Sequence, residues 1–253
     1  VCTSPEVTEI LYAVGAGDRV VGLVRGCDYP AETSSVPKVG DFSQVSPERV
    51  INLRPDLIIT TGHEQERIIK QLEPLGIPVL ALMPRDVPSV KRDILLVGSI
   101  VGNPGAGARV VSALDADIAW VQERVREQER RGVRPRVYLE ISPEPLMTVA
   151  KGSFVHDAIE TAGGENVGAG LIRPYCRIES ETVIAADPEV IVICHDAASP
   201  AAVRRRPGWD TVAAVRTGRV YVADADLILR AGPRLGQGIK TLYGYFYEGS
   251  AGK

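Results

Sequence analysis

Two rhythms of apolar residues alternate along this chain. In the first half the runs "DRVVGLV", "PDLIITT" and "IPVLAL" are continuous and β-branched, the pattern of buried strands. Between and before them, "PEVTEILYAVG", "SPERVINL" and "EQERIIKQLEPLG" carry apolar residues at helical spacing. Strand and helix therefore alternate, which predicts a mainly parallel sheet. The second half repeats the layout. "RPRVYLEI" reads as a strand, "SFVHDAIETAGG" as a helix stopped by glycines, and "PEVIVIC" as a strand. "AAVRRRPGWDTVAAVRTG" is helical with a Pro-Gly break, and "RVYVADA" is the last strand.

Residues 104–131 separate the halves. Val110, Leu114, Ile118, Val121 and Val125 fall on one helical face there. A helix of that extent is about 40 Å long, more than a local crossover needs. The expected fold is thus α/β: two lobes with mainly parallel sheets, residues 1–103 and 133–253, joined by one long backbone helix over residues 104–132. "GNPGAG" does not follow a strand convincingly, so it reads as the start of that helix.

The duplication reaches individual residues. "SPERVINLRPDLIITTG" returns as "ESETVIAADPEVIVICH", matching Glu48 with Glu181, Val50 with Val183, Pro55 with Pro188 and Ile58 with Ile191. Ser46 can cap the first of these helices and Pro47 suits its first position. Glu179 stands where the second capping serine belongs. Both matched glutamates fall in a first turn, where a negative charge favours the helix by about 0.3–1 kcal/mol.

Composition narrows the function. The 253 residues carry 45% hydrophobic and 24% charged side chains, ordinary for a globular protein. A net charge of −3 leaves no basic footprint for nucleic acid. No apolar stretch is long enough to span a bilayer. The first residues contain neither a charged n-region nor an apolar h-region, and a leader removed in processing is compatible with that. The four cysteines show no CxxC spacing, which argues against a structural metal site. No GxGxxG turn, P-loop or GxSxG elbow is present, so an enzyme using such a two-lobed cleft is the weaker reading and no catalytic residue is assigned.

"SPEVTEILYAVGAGDRVVGL", "CDYPAE", "VGDFSQVSPERVINLRPDLII", "LGIPVL", "GSFVHDAIETAGGENV", "ESETVIAADPEVIVI" and "GPRL" together span nearly the whole chain. With these motifs the chain resembles the metal-chelate substrate-binding proteins of ABC importers, which serve cobalamin, haem and ferric siderophores. "CDYP", "VGDFS" and "GSF…AGGENV" resemble the cobalamin-binding branch most. The resemblance implies a ligand cleft between the lobes. It also implies that Glu48 and Glu181, one per lobe, dock arginines of a two-fold permease.

The expected ligand residues lie where α/β sheets bind ligands, beyond the carboxyl ends of strands. They are Arg25, Cys27, Asp28 and Tyr29 after the first strand, His63 after the second, and His195, Asp226 and Arg230 in the other lobe. Phe42 and Tyr175, each six residues before a docking glutamate, match the cleft aromatics that pack against a flat macrocycle; core packing is the alternative. Cys176 and Arg177 belong to the same loop as Tyr175. The arginines of "RPYCRIE" and "ILRAGPRL" suit carboxylates, which keeps haem and siderophores open beside a corrinoid. Cys2, Cys27, Cys176 and Cys194 read either as inert thiols, as a disulfide, or as a soft metal ligand. No resident cofactor is expected, only a bound cobalamin or related chelate. The expected partner is an importer permease, met at the periplasmic or extracellular face by a monomer that touches the membrane only through the permease or a lipid anchor.

Overall fold

Two hydrogen-bonded ladders, joined through one residue, organise the first half of the molecule, a computed structural model that describes residues 1–62, 66–197 and 199–249. Contacts divide the chain into two units. The first comprises residues 1–84, 88–112 and 231–233. Its helix α1 (Pro5–Ala13) begins directly after Cys2, which bridges Leu23 on one side and Ile59 on the other. That places Cys2 between β1 (Leu23–Val24), paired with β2 (Lys38–Gly40), and β3 (Ile58–Thr61), paired with β4 (Val79–Leu82). All these pairings are parallel, so the strands run β2, β1, Cys2, β3, β4 with their carboxyl ends along one edge.

The first predicted strand is shorter than "DRVVGLV" suggests. Residues Gly17–Arg19 form a 3-10 turn, and the ladder to β2 is short and irregular, with a register shift between Leu23 and Val24. Helices α2 (Pro47–Asn52) and α3 (Glu66–Leu72) take their expected places. Helix α4 (Val87–Ile100) has no counterpart in the sequence reading, although Val87, Val90, Ile94 and Val97 are all buried at helical spacing. Glycines bring α4 against the start of α5 (Pro104–Arg130): a Cβ on Gly98 would lie 3.1 Å from the Gly107 Cα. Asn103 closes the corner before α5, donating its Nδ2 hydrogen to the Val14 carbonyl at 2.8 Å.

The second unit comprises residues 85–87, 113–230 and 234–253. Its sheet runs β10 (Val220–Val222), β9 (Val190–Ile193), β5 (Arg136–Pro143), β6 (Leu146–Val149), β8 (Tyr175–Arg177), with β7 (Glu165–Asn166) also on β5. The strands β10, β9, β5 and β7 are mutually parallel, whereas β6 pairs antiparallel with both β5 and β8. The sheet is therefore mainly parallel, as expected, with antiparallel strands added on one side. A tight hairpin through Glu144 and Pro145 returns the chain beside β5, and β8 then adds to its outer side. Tyr138, Val183, Ile191, Ile193, Val203 and Trp209 form one buried cluster, with the Trp209 ring edge-on to Tyr138 at 5.8 Å. Helices α7 (Ser180–Ala186), α8 (Pro200–Arg204) and α9 (Ala213–Thr217) contribute to it, and α6 (Phe154–Thr161), α10 (Ala225–Ile228) and α11 (Leu235–Tyr243) complete the unit.

Helix α5 is continuous over 27 residues and buries Leu114, Ile118, Val121 and Val125. The contact division falls inside it, between Ser112 and Ala113, rather than at its ends. Among the described residues no helix is long and apolar enough to cross a membrane.

Candidate functional site

In the first unit, backbone constraints present two aromatic rings at the strand-end edge. Phe42 sits at the tip of a turn that follows β2. Asp41 builds that turn, its Oδ1 accepting from the Ser43 hydroxyl at 2.9 Å and from the amides of Gln44 at 2.8 Å and Ser43 at 3.1 Å. The Ser43 and Gln44 hydrogen bonds hold the Asp41 carboxyl below its usual range. Arg25 reaches the other oxygen of Asp41 at 3.4 Å. Only glycine fits at Gly40, where a Cβ would meet the Gln44 carbonyl at 2.1 Å. The turn leaves Phe42 38% exposed.

Tyr29, 47% exposed, lies on the loop after β1. The Lys38 ammonium pins this loop by donating to the carbonyls of Cys27 and Thr33 at 3.2 and 3.1 Å. Asp28 is exposed beside it, but Cys27 is not. The Cys27 side chain is only 2% exposed, which gives it to the core rather than to a ligand surface. Burial raises its thiol pKa, and pushes that of Cys2 up to about 12. Thr8 lies 3.3 Å from the Cys2 sulfur. His63 lies outside the described residues.

In the second unit, β8 separates neighbours that the sequence grouped together. Tyr175 and Arg177 are two residues apart on one face of the strand, so Cys176 points to the other. Tyr175 and Cys176 are half-buried, while Arg177 is exposed. Cross-strand pairing sets Arg177 opposite Met147 and Tyr175 opposite Val149. The Pro174 carbonyl accepts the Ala150 amide at 2.8 Å and fixes where β8 begins. Arg173 and Arg177 have no ion-pair partner among the described residues.

His195 lies beside a buried carboxylate of β5. Its Nδ1 accepts the Ala197 amide at 3.2 Å, so the ring proton sits on Nε2 and is donated to Glu140 at 3.0 Å. Glu140 is fully buried on β5 and also receives a two-pronged ion pair from Arg206, at 2.5 and 2.7 Å. The Arg206 guanidinium lies 4.6 Å above the Trp209 ring. Both imidazole nitrogens are engaged in this arrangement, which ties the ring to the buried carboxylate. Cys194 is 1% exposed, and burial raises its thiol pKa strongly. All four cysteines are free. Among the described residues no group of three or more His, Cys, Asp or Glu side chains can hold a metal ion.

Asp226 and Arg230 bracket the end of α10 and pair at 2.8 Å. Asp224 caps that helix through the Asp226 amide at 2.9 Å. The glutamates of the repeat stand at two helix starts. Ser46 caps α2 by accepting the Arg49 amide at 3.3 Å and donates its own hydroxyl to Glu48 at 2.8 Å. That hydrogen bond lowers the Glu48 pKa. At α7 the N-cap Glu179 makes no side-chain capping bond, and Ser180 instead accepts from the Trp209 indole at 2.6 Å. Glu181 is exposed in that first turn, without an ion pair among the described residues.

Residues 1–227 match the family described as "Periplasmic binding protein". The uncharacterised ABC transporter substrate-binding lipoprotein YvrC of Bacillus subtilis (strain 168) is 33% identical over 245 residues, covering 94% of this chain and 76% of that protein. A vitamin B12-binding protein of Vibrio parahaemolyticus is 26% identical over 233 residues, or 91% of this chain and 82% of that one. Among solved structures, the periplasmic heme-binding protein RhuT from Roseiflexus sp. RS-1 superposes with a TM-score of 0.85 at 26% identity. It covers 98% of this chain and 97% of its own.

Proposed function

Because the chain belongs to the periplasmic binding protein family, a family of solute-binding proteins and not of enzymes, we propose that its ligand is a corrinoid. At the coarser level it is the substrate-binding component of an ABC importer for chelates of the vitamin B12, haem or siderophore type, and it works with a permease. Its site of action would be the outer side of the cell membrane, in the periplasm or at the extracellular face. The observation that carries the corrinoid reading is the match to a vitamin B12-binding protein over 91% of this chain. Exposed Tyr29 and Phe42 support it, because flat rings bury much apolar macrocycle area at little entropic cost. Tyr175 would contribute the ring of the second unit.

A second reading has its own observation. Arg173 and Arg177 are exposed guanidiniums without an ion pair among the described residues, and haem or a siderophore offers carboxylates to such forks. Calorimetry with cyanocobalamin, dicyanocobinamide, haemin and a ferric siderophore separates the two. Phe42→Ala and Tyr175→Ala are expected each to weaken corrinoid binding by about 1–3 kcal/mol. Tight binding of haemin or the siderophore, with no response to a corrinoid, would replace the ligand and keep the receptor.

A further inference from the structure

Tyr29 and Phe42 have a third companion at the strand-end edge of the first unit. Met83 follows β4 directly and is 39% exposed. The sheet fixes its backbone: Thr61 and Leu82 are in register, and the Gly62 amide donates to the Leu82 carbonyl at 2.7 Å. Because β2, β1, Cys2, β3 and β4 are parallel neighbours in that order, Phe42 and Met83 mark opposite flanks of one edge. Four strand spacings separate them, about 19 Å at about 4.8 Å each. Tyr29 belongs to the loop after β1, the strand next to β2 in that order. Other exposed apolar side chains, such as Leu95 and Leu96, belong to helix α4 and not to a strand-end loop.

Resting on the receptor reading, we propose that Met83 is a ligand contact, and that the bound chelate extends across the whole strand-end edge from Phe42 to Met83. A compact solute would reach Tyr29 and Phe42 and leave Met83 in water. A broad macrocycle with substituted rims reaches both flanks. Methionine suits the far flank, since its unbranched and polarisable thioether adapts to an irregular apolar rim and packs well against conjugated rings.

The chain contains two methionines, Met83 and Met147, so labelling with methyl-13C methionine gives two signals, assigned with Met83→Leu. Met147 reports separately on the second unit, next to Arg177. On titration with cyanocobalamin, dicyanocobinamide, haemin and a ferric siderophore, the Met83 signal is expected to move or broaden with whichever chelate binds. Met83→Ala should then weaken that chelate about tenfold with an unchanged melting temperature, and Met83→Leu should stay within about threefold of the parent. If a chelate binds by calorimetry while the Met83 signal stays still and Met83→Ala keeps its affinity, the inference fails and the receptor reading survives. A Met83 signal that moves only on adding the permease overturns it too. If no chelate of any class binds, both fall together.

Discussion

Arg54 and Asp187 occupy matched positions in the two copies of the repeat, and both adopt the left-handed conformation, with φ of 45° and 44°. Each stands directly before a matched proline, Pro55 or Pro188, at the point where a short helix gives way to a strand. The repeat thus reproduces a strained backbone turn as well as apolar spacing. The left-handed region costs an L-residue about 1–2 kcal/mol, and a β-branched side chain fares worse there. Arg54→Val is therefore expected to destabilise the protein by about 1–2 kcal/mol in urea unfolding, whereas Arg54→Gly should cost nothing measurable. Equal losses for both substitutions would mean that the arginine side chain, not its backbone, matters. Sequence could not show this conformation, because neither Arg nor Asp announces a positive φ as glycine does. It likewise could not show that Cys27 and Cys194 face the core, or that His195 and Arg206 both engage Glu140. The two partners of Glu140 lie 55 and 66 residues from it in the chain.

Most elements were legible where one apolar period persisted. The helix over Pro104–Arg130 and the four-residue strands Ile58–Thr61 and Val190–Ile193 bury the side chains that their spacing selects. The strands β6 and β8 were not legible, since neither stands in a β-branched apolar run and both are held by antiparallel pairing. Helix α4 was legible in principle and carries a titratable anomaly. Burial pushes the Asp93 carboxyl up to about 6, and its Oδ2 has no hydrogen-bond partner. Between the ordinary carboxylate range and that value, the folded protein holds a proton that the unfolded chain releases. Stability from this group is therefore present at low pH and is lost as pH rises through about 4 to 6. Asp93→Asn removes the titration. It is expected to add about 1–2 kcal/mol at pH 7 and little at pH 4, read by urea unfolding at both values. A gain independent of pH would exclude the carboxylate as the cause.

At the scale of the whole molecule, the duplication supplies one exposed glutamate in each unit, Glu48 at the start of α2 and Glu181 at the start of α7. A two-fold permease would meet both. Reversing the two charges, Glu48→Lys with Glu181→Lys, is expected to abolish permease-dependent uptake in reconstituted vesicles while ligand affinity in solution changes less than about twofold. A matching loss of affinity would place these carboxylates at the ligand and remove the docking role. The central claim concerns the cargo itself. Offering the protein an equimolar mixture of cobalamin, cobinamide, haemin and a ferric siderophore, repurifying it, and identifying the retained compound by mass spectrometry tests that claim most directly. The expected result is one equivalent of a corrinoid, chemically unchanged. Retention of haemin or the siderophore would contradict the corrinoid assignment, and recovery of a chemically altered compound would contradict the binding-protein reading as a whole.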